Sequence, residues 1–505
     1  MGDRLPVRAA ECEMTAGAAR RTWLIFALIC LFYAACALRF DAIHLPFCDE
    51  GWLASPGLNL IRHGTMETSV IEPAGSYLKG IDHYTYWIMP LYPLGLAVWY
   101  KLWGFGSFTM RSYSTAFGVV GLLGIFVIVR RLIRSDAAAL VAVALTGTSL
   151  LFVSNGSNGR MDMMSAGLGF AALACYLVLR ERSFTAAVPI SHCVLAMAVF
   201  SHPNALIHFV ALLFLTVWFD WRKIRLHHLV LAAAPYLVGF GLWSLYIREG
   251  GVDLWRAQFV GNATAGGRDL MFADPFSALR LEIERRYAAA FGFGPGTNWL
   301  QHLQIIAPLC WIAGIVAALA MPSMRRDRGV QALLALALLC PAILAVIDGV
   351  KRPFYLIYVV PFAIAVLSAV LVRARLRRLA IPLIALQAAG LGIAMRHDAY
   401  DDVYLPAVAF LRSHEQPQTL ILGPSEFGFQ LGFGRELVDD FRLGYNSGKS
   451  PDYIVIDPNY RGAIEALRKD HPEIYEFTQR RLTSEYVPVF KNAIYTIYGK
   501  LTRTT

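Results

Sequence analysis

Two adjacent carboxylates, Asp49 and Glu50, sit in the stretch Phe47-Cys48-Asp49-Glu50-Gly51, a few residues beyond an apolar run at 22–37. A helix needs about 20 mostly apolar residues to cross a bilayer, and this run with its flanks supplies them. The acidic pair therefore leaves the membrane with the chain, at the level of lipid head groups. A carboxylate placed there can serve as a general base if an acceptor hydroxyl comes within hydrogen-bond reach. The plain alternative is a solvated loop start. The same segment, 41–110, supplies Glu67, Glu72, Asp82, His83, Tyr84 and Tyr86 as further polar groups. Glu67 and Glu72 also read as ordinary solvated loop residues.

Cations recur at two later membrane boundaries. The first is Arg160-Met161-Asp162, where Arg160 either pairs with Asp162 or faces a cavity and contacts phosphate. A charge in a span costs about 2.5–3.5 kcal/mol at the centre and less near the interface. The second is Lys351-Arg352-Pro353, followed by Tyr355, Tyr358 and Pro361. Cations and hydroxyls aimed at a departing phosphate would stabilise its developing charge. Interfacial snorkelling is the other reading of Lys351 and Arg352. His202 and Arg268 are weaker phosphate candidates. The sequence has no Walker loop, no Rossmann glycine fingerprint after a strand and no His-Glu-x-x-His. Of eight cysteines, most lie in apolar runs, with no spacing that suggests a disulfide framework or a zinc site.

The composition says what must hold these groups in place. Of 505 residues, 56% are hydrophobic and only 16% charged, against about 25% charged in soluble proteins. This excludes a purely soluble chain. The expected fold is a polytopic α-helical membrane protein of about eleven spans with a small C-terminal α/β domain outside the membrane. The expected organisation is a polar cytoplasmic N-terminus over 1–21, a membrane module over 22–396 containing the large external segment 41–110, and an external domain over 397–505.

The net charge of +10 is an orientation signal rather than a nucleic-acid surface. Arg130, Arg131 and Arg134, then Arg180 and Arg182, Arg222 to Arg225, Arg325 to Arg328 and Arg373 to Arg378 all fall in alternate connections. Under the positive-inside rule these face the cytoplasm, which puts Asp49 outside. Reading 87–103 as a span would invert every later loop. That aromatic stretch, with Pro90 and Pro93, is expected to lie at the interface instead. In the tail, 419–422 and 453–456 read as strands, 487–498 as one or two more, and 406–413 and 461–469 as helices.

Taken in order, the motifs resemble those of the GT-C membrane glycosyltransferases, in the bacterial branch related to protein O-mannosyltransferases and lipid A aminoarabinose transferases. The resemblance rests on Asp49-Glu50-Gly51 after the first span, Pro90-Leu91-Tyr92-Pro93 running to Gly104 and Arg111, Arg160-Met161-Asp162, and Tyr355, Tyr358 and Pro361. It covers roughly 20–395. It implies a polyprenyl-phosphate-linked sugar donor and inverting transfer of a hexose or pentose to an acceptor hydroxyl, in the plasma membrane on its outer face. Asp49 would be the base. Glu50 would support it, or join it around a divalent cation where family members use one. Two departures stand out: Met89-Pro90-Leu91-Tyr92 replaces the His-Pro-Pro-Leu of many relatives, and Ser55-Pro56-Gly57 is expected to interrupt the helix after the acidic pair. The alternative class is a transporter or flippase for a lipid-linked or polar solute. Such proteins often carry two-fold repeats with midplane sites; no repeat is visible, and the acids lie at an edge.

Overall fold

The computed structural model describes residues 5–265, 270–294, 297, 299–416, 418–434 and 436–501. Arg268 lies outside the described residues. The first seven helices are α1 (Leu5–Ile43), α2 (Cys48–His63), α3 (Leu91–Trp103), α4 (Ser107–Ile133), α5 (Asp136–Gly147), α6 (Leu150–Gly156) and α7 (Met161–Leu179).

Among the described residues, eight helical stretches are long and apolar enough to cross a membrane. They are Gly17–Ile43, Ser107–Ile133, Met161–Leu179, Pro203–Lys223, Leu226–Gly250, Trp299–Ala320, Arg328–Ile347 and Arg377–Ala394. The remaining expected spans take other forms. The run at 136–153 is broken into α5 and α6, which meet at 66°. Phe184–Val199 and Val360–Arg373 are apolar but shorter, at 16 and 14 residues. The break has a local cause. The Thr148 hydroxyl donates back to the Ala144 carbonyl at 2.8 Å, and Ser149 starts the next helix by accepting from the Phe152 amide. Such hydroxyls compete with the helix ladder and favour caps. The bend redirects the chain toward 157–160.

The 13-residue α3 is not among the spanning helices. The chain does not break at Pro56. Helix α2 runs through it, because the contiguous stretch Leu53 to Asn59 is buried and packs on α3. Asn59 adds side-chain bonds to the Glu67 carbonyl (2.9 Å) and the Ser69 hydroxyl (3.1 Å). Tertiary burial outweighs the one backbone bond that proline forfeits.

Helix α4 carries Arg111 near one end and Arg130 and Arg131 at the other. Twenty residues of helix separate Arg111 from Arg131, about 30 Å. The arginine-rich connections and the acidic pair thus lie at opposite ends of the helical module.

The tail forms one five-stranded sheet from β1 (Ile421–Leu422), β2 (Leu437–Val438), β3 (Tyr453–Ile456), β4 (Tyr486–Lys491) and β5 (Thr496–Lys500). Its order is β2-β1-β3-β5-β4. The pairs β1–β2 and β1–β3 are parallel, while β3–β5 and β4–β5 are antiparallel. Helices Leu405–His414, Pro458–Asp470 and Pro472–Arg480 accompany it. The hairpin β4–β5 realises the expected pair of strands within 487–498. Strand β2 is only two residues long, too short to leave a periodic signal. The sheet is joined to the segment before α3 by a parallel bridge between Ile71 and Asp439.

Candidate active site

Glu50 is 1% exposed and fully engaged. Arg111 grips it with both arms, Nε to Oε1 and Nη2 to Oε2, each at 2.7 Å. The Gly159 amide donates to Oε1 at 2.7 Å and the Phe47 amide to Oε2 at 3.2 Å. Arg111 in turn donates to the carbonyls of Asp41, His44 and Leu45. A Cβ at Gly159 would stand 3.0 Å from Oε1, so a bare backbone suits this approach. Glu50 therefore fastens the start of α2 to α4 and to the turn before α7.

Asp49, one residue earlier, is 30% exposed at its side chain and pairs through Oδ2 with Arg160 Nη1. Two acids in the first turn of α2 also complement the positive end of the helix. Arg160 is 7% exposed. Its Nε donates to Asp162 Oδ2 at 2.8 Å, and its guanidinium lies 4.3 Å from the centroid of the Phe354 ring. Its Nη2 hydrogens are not used by these contacts.

His202 Nδ1 accepts from the Asn204 amide at 3.0 Å, which puts the ring proton of the neutral form on Nε2. That nitrogen faces Asp162 Oδ1 at 3.6 Å. The His202 ring is 5.5 Å from Tyr355 and 6.4 Å from Tyr358. The structure thus gathers Asp49, Arg160, Asp162, His202, Phe354, Tyr355 and Tyr358 around one cluster.

Other expected site residues lie elsewhere. Lys351 is 1% exposed, and its ammonium binds Glu282 at 3.0 Å and the Ala345 carbonyl. Arg286 joins Glu282 (2.7 Å) and Asp348 (2.8 Å) in the same network. Two carboxylates balance two cations there, so Lys351 has no charge to spare for a phosphate. Burial of an unpaired ammonium would be costly, and Glu282 removes that cost. Arg352 is exposed, and its guanidinium has no partner among the described residues. His83 is exposed beside Asp82 at 3.6 Å. Tyr84 stacks parallel on Tyr86 and packs against Tyr246, in a separate aromatic cluster with Trp243 and Trp255. Among the described residues, no hydrogen bond or ion pair joins His83 or Tyr84 to Asp49. Glu67 pairs with His63, and Glu72 pairs with Lys449 at 2.5 Å.

The acidic pair does not offer a good cation site. Both Glu50 oxygens are occupied by N–H donors, and Asp49 is matched by a guanidinium. Among the described residues no group of three or more His, Cys, Asp or Glu side chains could hold a metal ion. Burial, with Glu426 nearby, pushes the Cys48 thiol pKa far up, which disfavours its thiolate.

The tail reaches this site, and sequence reasoning missed how. The Ser425 hydroxyl donates to the Cys48 carbonyl at 2.7 Å. Trp52 Nε1 donates to Asp439 Oδ2 at 2.7 Å. A Cβ added at Gly51 would stand 2.5 Å from the Ser425 carbonyl carbon and oxygen. One sequence signal was present. Asp439 and Asp457 each directly follow a short apolar strand, and the carboxyl ends of parallel strands are where α/β sheets place functional groups.

Comparison with known proteins bears on the fold. Residues 89–245 match the family model described as dolichyl-phosphate-mannose-protein mannosyltransferase. No curated protein matches by sequence. Among solved structures, ArnT from Cupriavidus metallidurans bound to undecaprenyl phosphate superposes with a TM-score of 0.57 at 17% identity, covering 95% of this chain and 98% of that one. The oligosaccharyltransferase of Archaeoglobus fulgidus, in complex with Zn and sulfate, gives 0.55 at 13% identity, covering 94% of this chain and 73% of that one. The same archaeal protein tethered to an acceptor peptide containing the NVT sequon gives 0.53 at 12% identity, covering 94% and 74%. What is shared at these identities is the fold, the GT-C fold of membrane glycosyltransferases.

Proposed function

We propose that this chain, a GT-C membrane protein related through residues 89–245 to the protein mannosyltransferases, transfers a sugar from a polyprenyl-phosphate-linked donor to an acceptor hydroxyl. The observation that carries the reading is the contact of Asp49 with Arg160, two residues 111 positions apart. It places a partly exposed carboxylate directly beside a buried guanidinium that still has donors to give. The undecaprenyl phosphate bound to the Cupriavidus protein supports the choice of donor class.

In this mechanism the donor phosphate docks on the Nη2 hydrogens of Arg160, with Tyr355 close to its path. Guanidinium geometry suits bidentate capture of phosphate oxygens. Asp49 accepts the proton of the acceptor hydroxyl as that oxygen attacks the sugar C1. The bond from C1 to the phosphate oxygen breaks on the opposite side, so the anomeric configuration inverts. Polyprenyl phosphate leaves with the bonding electrons and one more negative charge, which Arg160 stabilises. Asp162 and the Phe354 ring hold Arg160 in place; Glu50 holds α2. Positive-inside orientation of the arginine clusters supports this chemistry on the outer face of the plasma membrane, with residues 397–505 as an external domain.

The test uses the full chain in detergent with a radiolabelled polyprenyl-phosphate sugar. The expected result is release or transfer of label by the wild type, and loss of about 10²–10⁴ in rate for Asp49→Asn with normal expression and membrane insertion. Full activity in that variant would sink the assignment of the base. An intact donor in every wild-type reaction would sink the transferase itself.

A further inference from the structure

Acids or polar groups lie within four positions beyond each of the three parallel strands of the tail. Asp439 follows β2, Ser425 and Glu426 follow β1, and Asp457 follows β3. In open α/β sheets the crevice at these carboxyl ends ordinarily receives a ligand. Here the first turn of α2, which carries Asp49, occupies that place.

Asp439 is the centre of the contact and is 7% exposed. Its Oδ2 accepts from the Trp52 indole at 2.7 Å and from the Ser425 amide at 3.1 Å. Its Oδ1 accepts from the Tyr460 hydroxyl at 2.7 Å. Its backbone amide donates to the Val70 carbonyl at 2.6 Å, and its carbonyl accepts from the Glu72 amide at 3.2 Å. One residue of the tail thus bonds to α2, to the segment after it, and to two parts of its own domain. Ser425, held by Asp439, in turn bonds to the Cys48 carbonyl, adjacent to Asp49.

The first turn of α2 is therefore clamped from two sides. Glu50 with Arg111 and Gly159 ties it to the membrane helices. Trp52 and Cys48 tie it to the sheet. Asp49 projects between the two clamps toward Arg160. A helix held on one side only can rotate about its axis and swing that carboxylate. Displacement of a reacting group by about 1 Å can cost about 10² in rate.

We propose that Asp439 is a positioning residue for the transfer reaction: through Trp52 and Ser425 it fixes the rotation of α2 and hence the aim of Asp49, so that the C-terminal domain is part of the catalytic apparatus rather than a cap over it. The proposal rests on the reading of Asp49 as the base.

The test compares Asp439→Ala, Asp439→Asn and Trp52→Phe in the full-length protein. Alanine removes both acceptors. Asparagine keeps an oxygen for Trp52 and Ser425, and its amide can donate to the Tyr460 oxygen. The expected result is a fall in kcat of about tenfold to 10² for Asp439→Ala, with the KM for donor unchanged, and recovery of most of the rate in Asp439→Asn. Trp52→Phe, which keeps an aromatic ring but removes the indole N–H with its five-membered ring, should lower kcat severalfold and add little further in the Asp439→Ala background. Hydrogen exchange on the ligand-free protein should show faster exchange of the amides at 50–52 in Asp439→Ala and not in Asp439→Asn. Unchanged kcat and unchanged exchange in Asp439→Ala would overturn the proposal. So would a rise in KM with kcat intact. If Asp439→Ala does not fold, Trp52→Phe decides: wild-type kcat in that variant overturns the proposal. An inactive wild type would remove the transferase reading, while the exchange comparison would still report on the clamp.

Discussion

Asp49 and Glu50 are neighbours in sequence with opposite environments. Glu50 gives all its acceptor capacity to protein donors and is shut off from solvent; Asp49 has one strong partner and an open side. Substituting them should therefore fail in different ways. Glu50→Gln leaves the Arg111 guanidinium buried without its counter-charge, which costs about 3–5 kcal/mol. The expected outcome is a marked loss of thermal stability and yield in detergent, measured before any activity assay. Asp49→Asn should behave normally in that measurement and fail only in turnover. A Glu50→Gln protein as stable as the wild type would show that the buried pair does not fasten α2. The resemblance named Asp49 as base and Glu50 as its support, but nothing near the pair in sequence pointed to Glu50 as a buried fastener, because that role depends on Arg111 and Gly159, which are far away in the chain. Lys351 teaches the same lesson. In sequence it read as a cation for phosphate or for the interface, yet it is buried against Glu282, sixty-nine positions earlier in the chain.

At the scale of the element, α2 shows how packing overrides local preference. Pro56 suggests a break, yet the buried stretch from Leu53 to Asn59 carries the helix through. Gly51 has no unusual backbone angle to explain it; its reason is the Ser425 backbone pressed against it. Gly51→Ala should push α2 away from the sheet, lowering the melting temperature by several degrees and kcat by about tenfold or more. A variant with wild-type values in both measurements would mean the close approach is dispensable. The spanning helices were the most legible part of the chain. A bilayer demands long apolar runs whatever their neighbours are. The two-residue strand β2 was the least legible, since pairing with β1 in three dimensions creates it, whereas β1 falls within the strand expected at 419–422.

At the scale of the whole molecule, the junction between tail and membrane module holds buried acids, and this makes it sensitive to pH. Burial raises the Asp439 pKa from 3.8 to about 6, against the opposing hydrogen bonds from Tyr460, Trp52 and Ser425. Burial, with Asp457 and Asp439 close by, also holds the Glu426 carboxyl well above its usual range. The folded state binds these protons more tightly than the unfolded chain. For Asp439 the stabilising contribution is complete below about pH 4 and is lost as pH rises through about 6; ionisation costs about 3 kcal/mol at neutral pH. Protonation is geometrically easy, because the Tyr460 hydroxyl can turn from donor to acceptor while the Trp52 and Ser425 bonds remain. Asp439→Asn copies the protonated state, so its unfolding free energy should change less between pH 5 and pH 7.5 than that of the wild type. Equal slopes would place the titration elsewhere.

The contact between Asp49 and Arg160 has a kinetic corollary. Before any substrate arrives, the base is tied up by the very cation that the incoming phosphate must engage. An anion settling on that guanidinium weakens its hold on the carboxylate and leaves it ready for a hydroxyl. Addition should then be compulsory in order, lipid-linked sugar first and hydroxyl compound second. Initial-rate patterns, together with acceptor affinity measured in the presence and absence of polyprenyl phosphate, would reveal it; equal acceptor affinity in both conditions would rule it out.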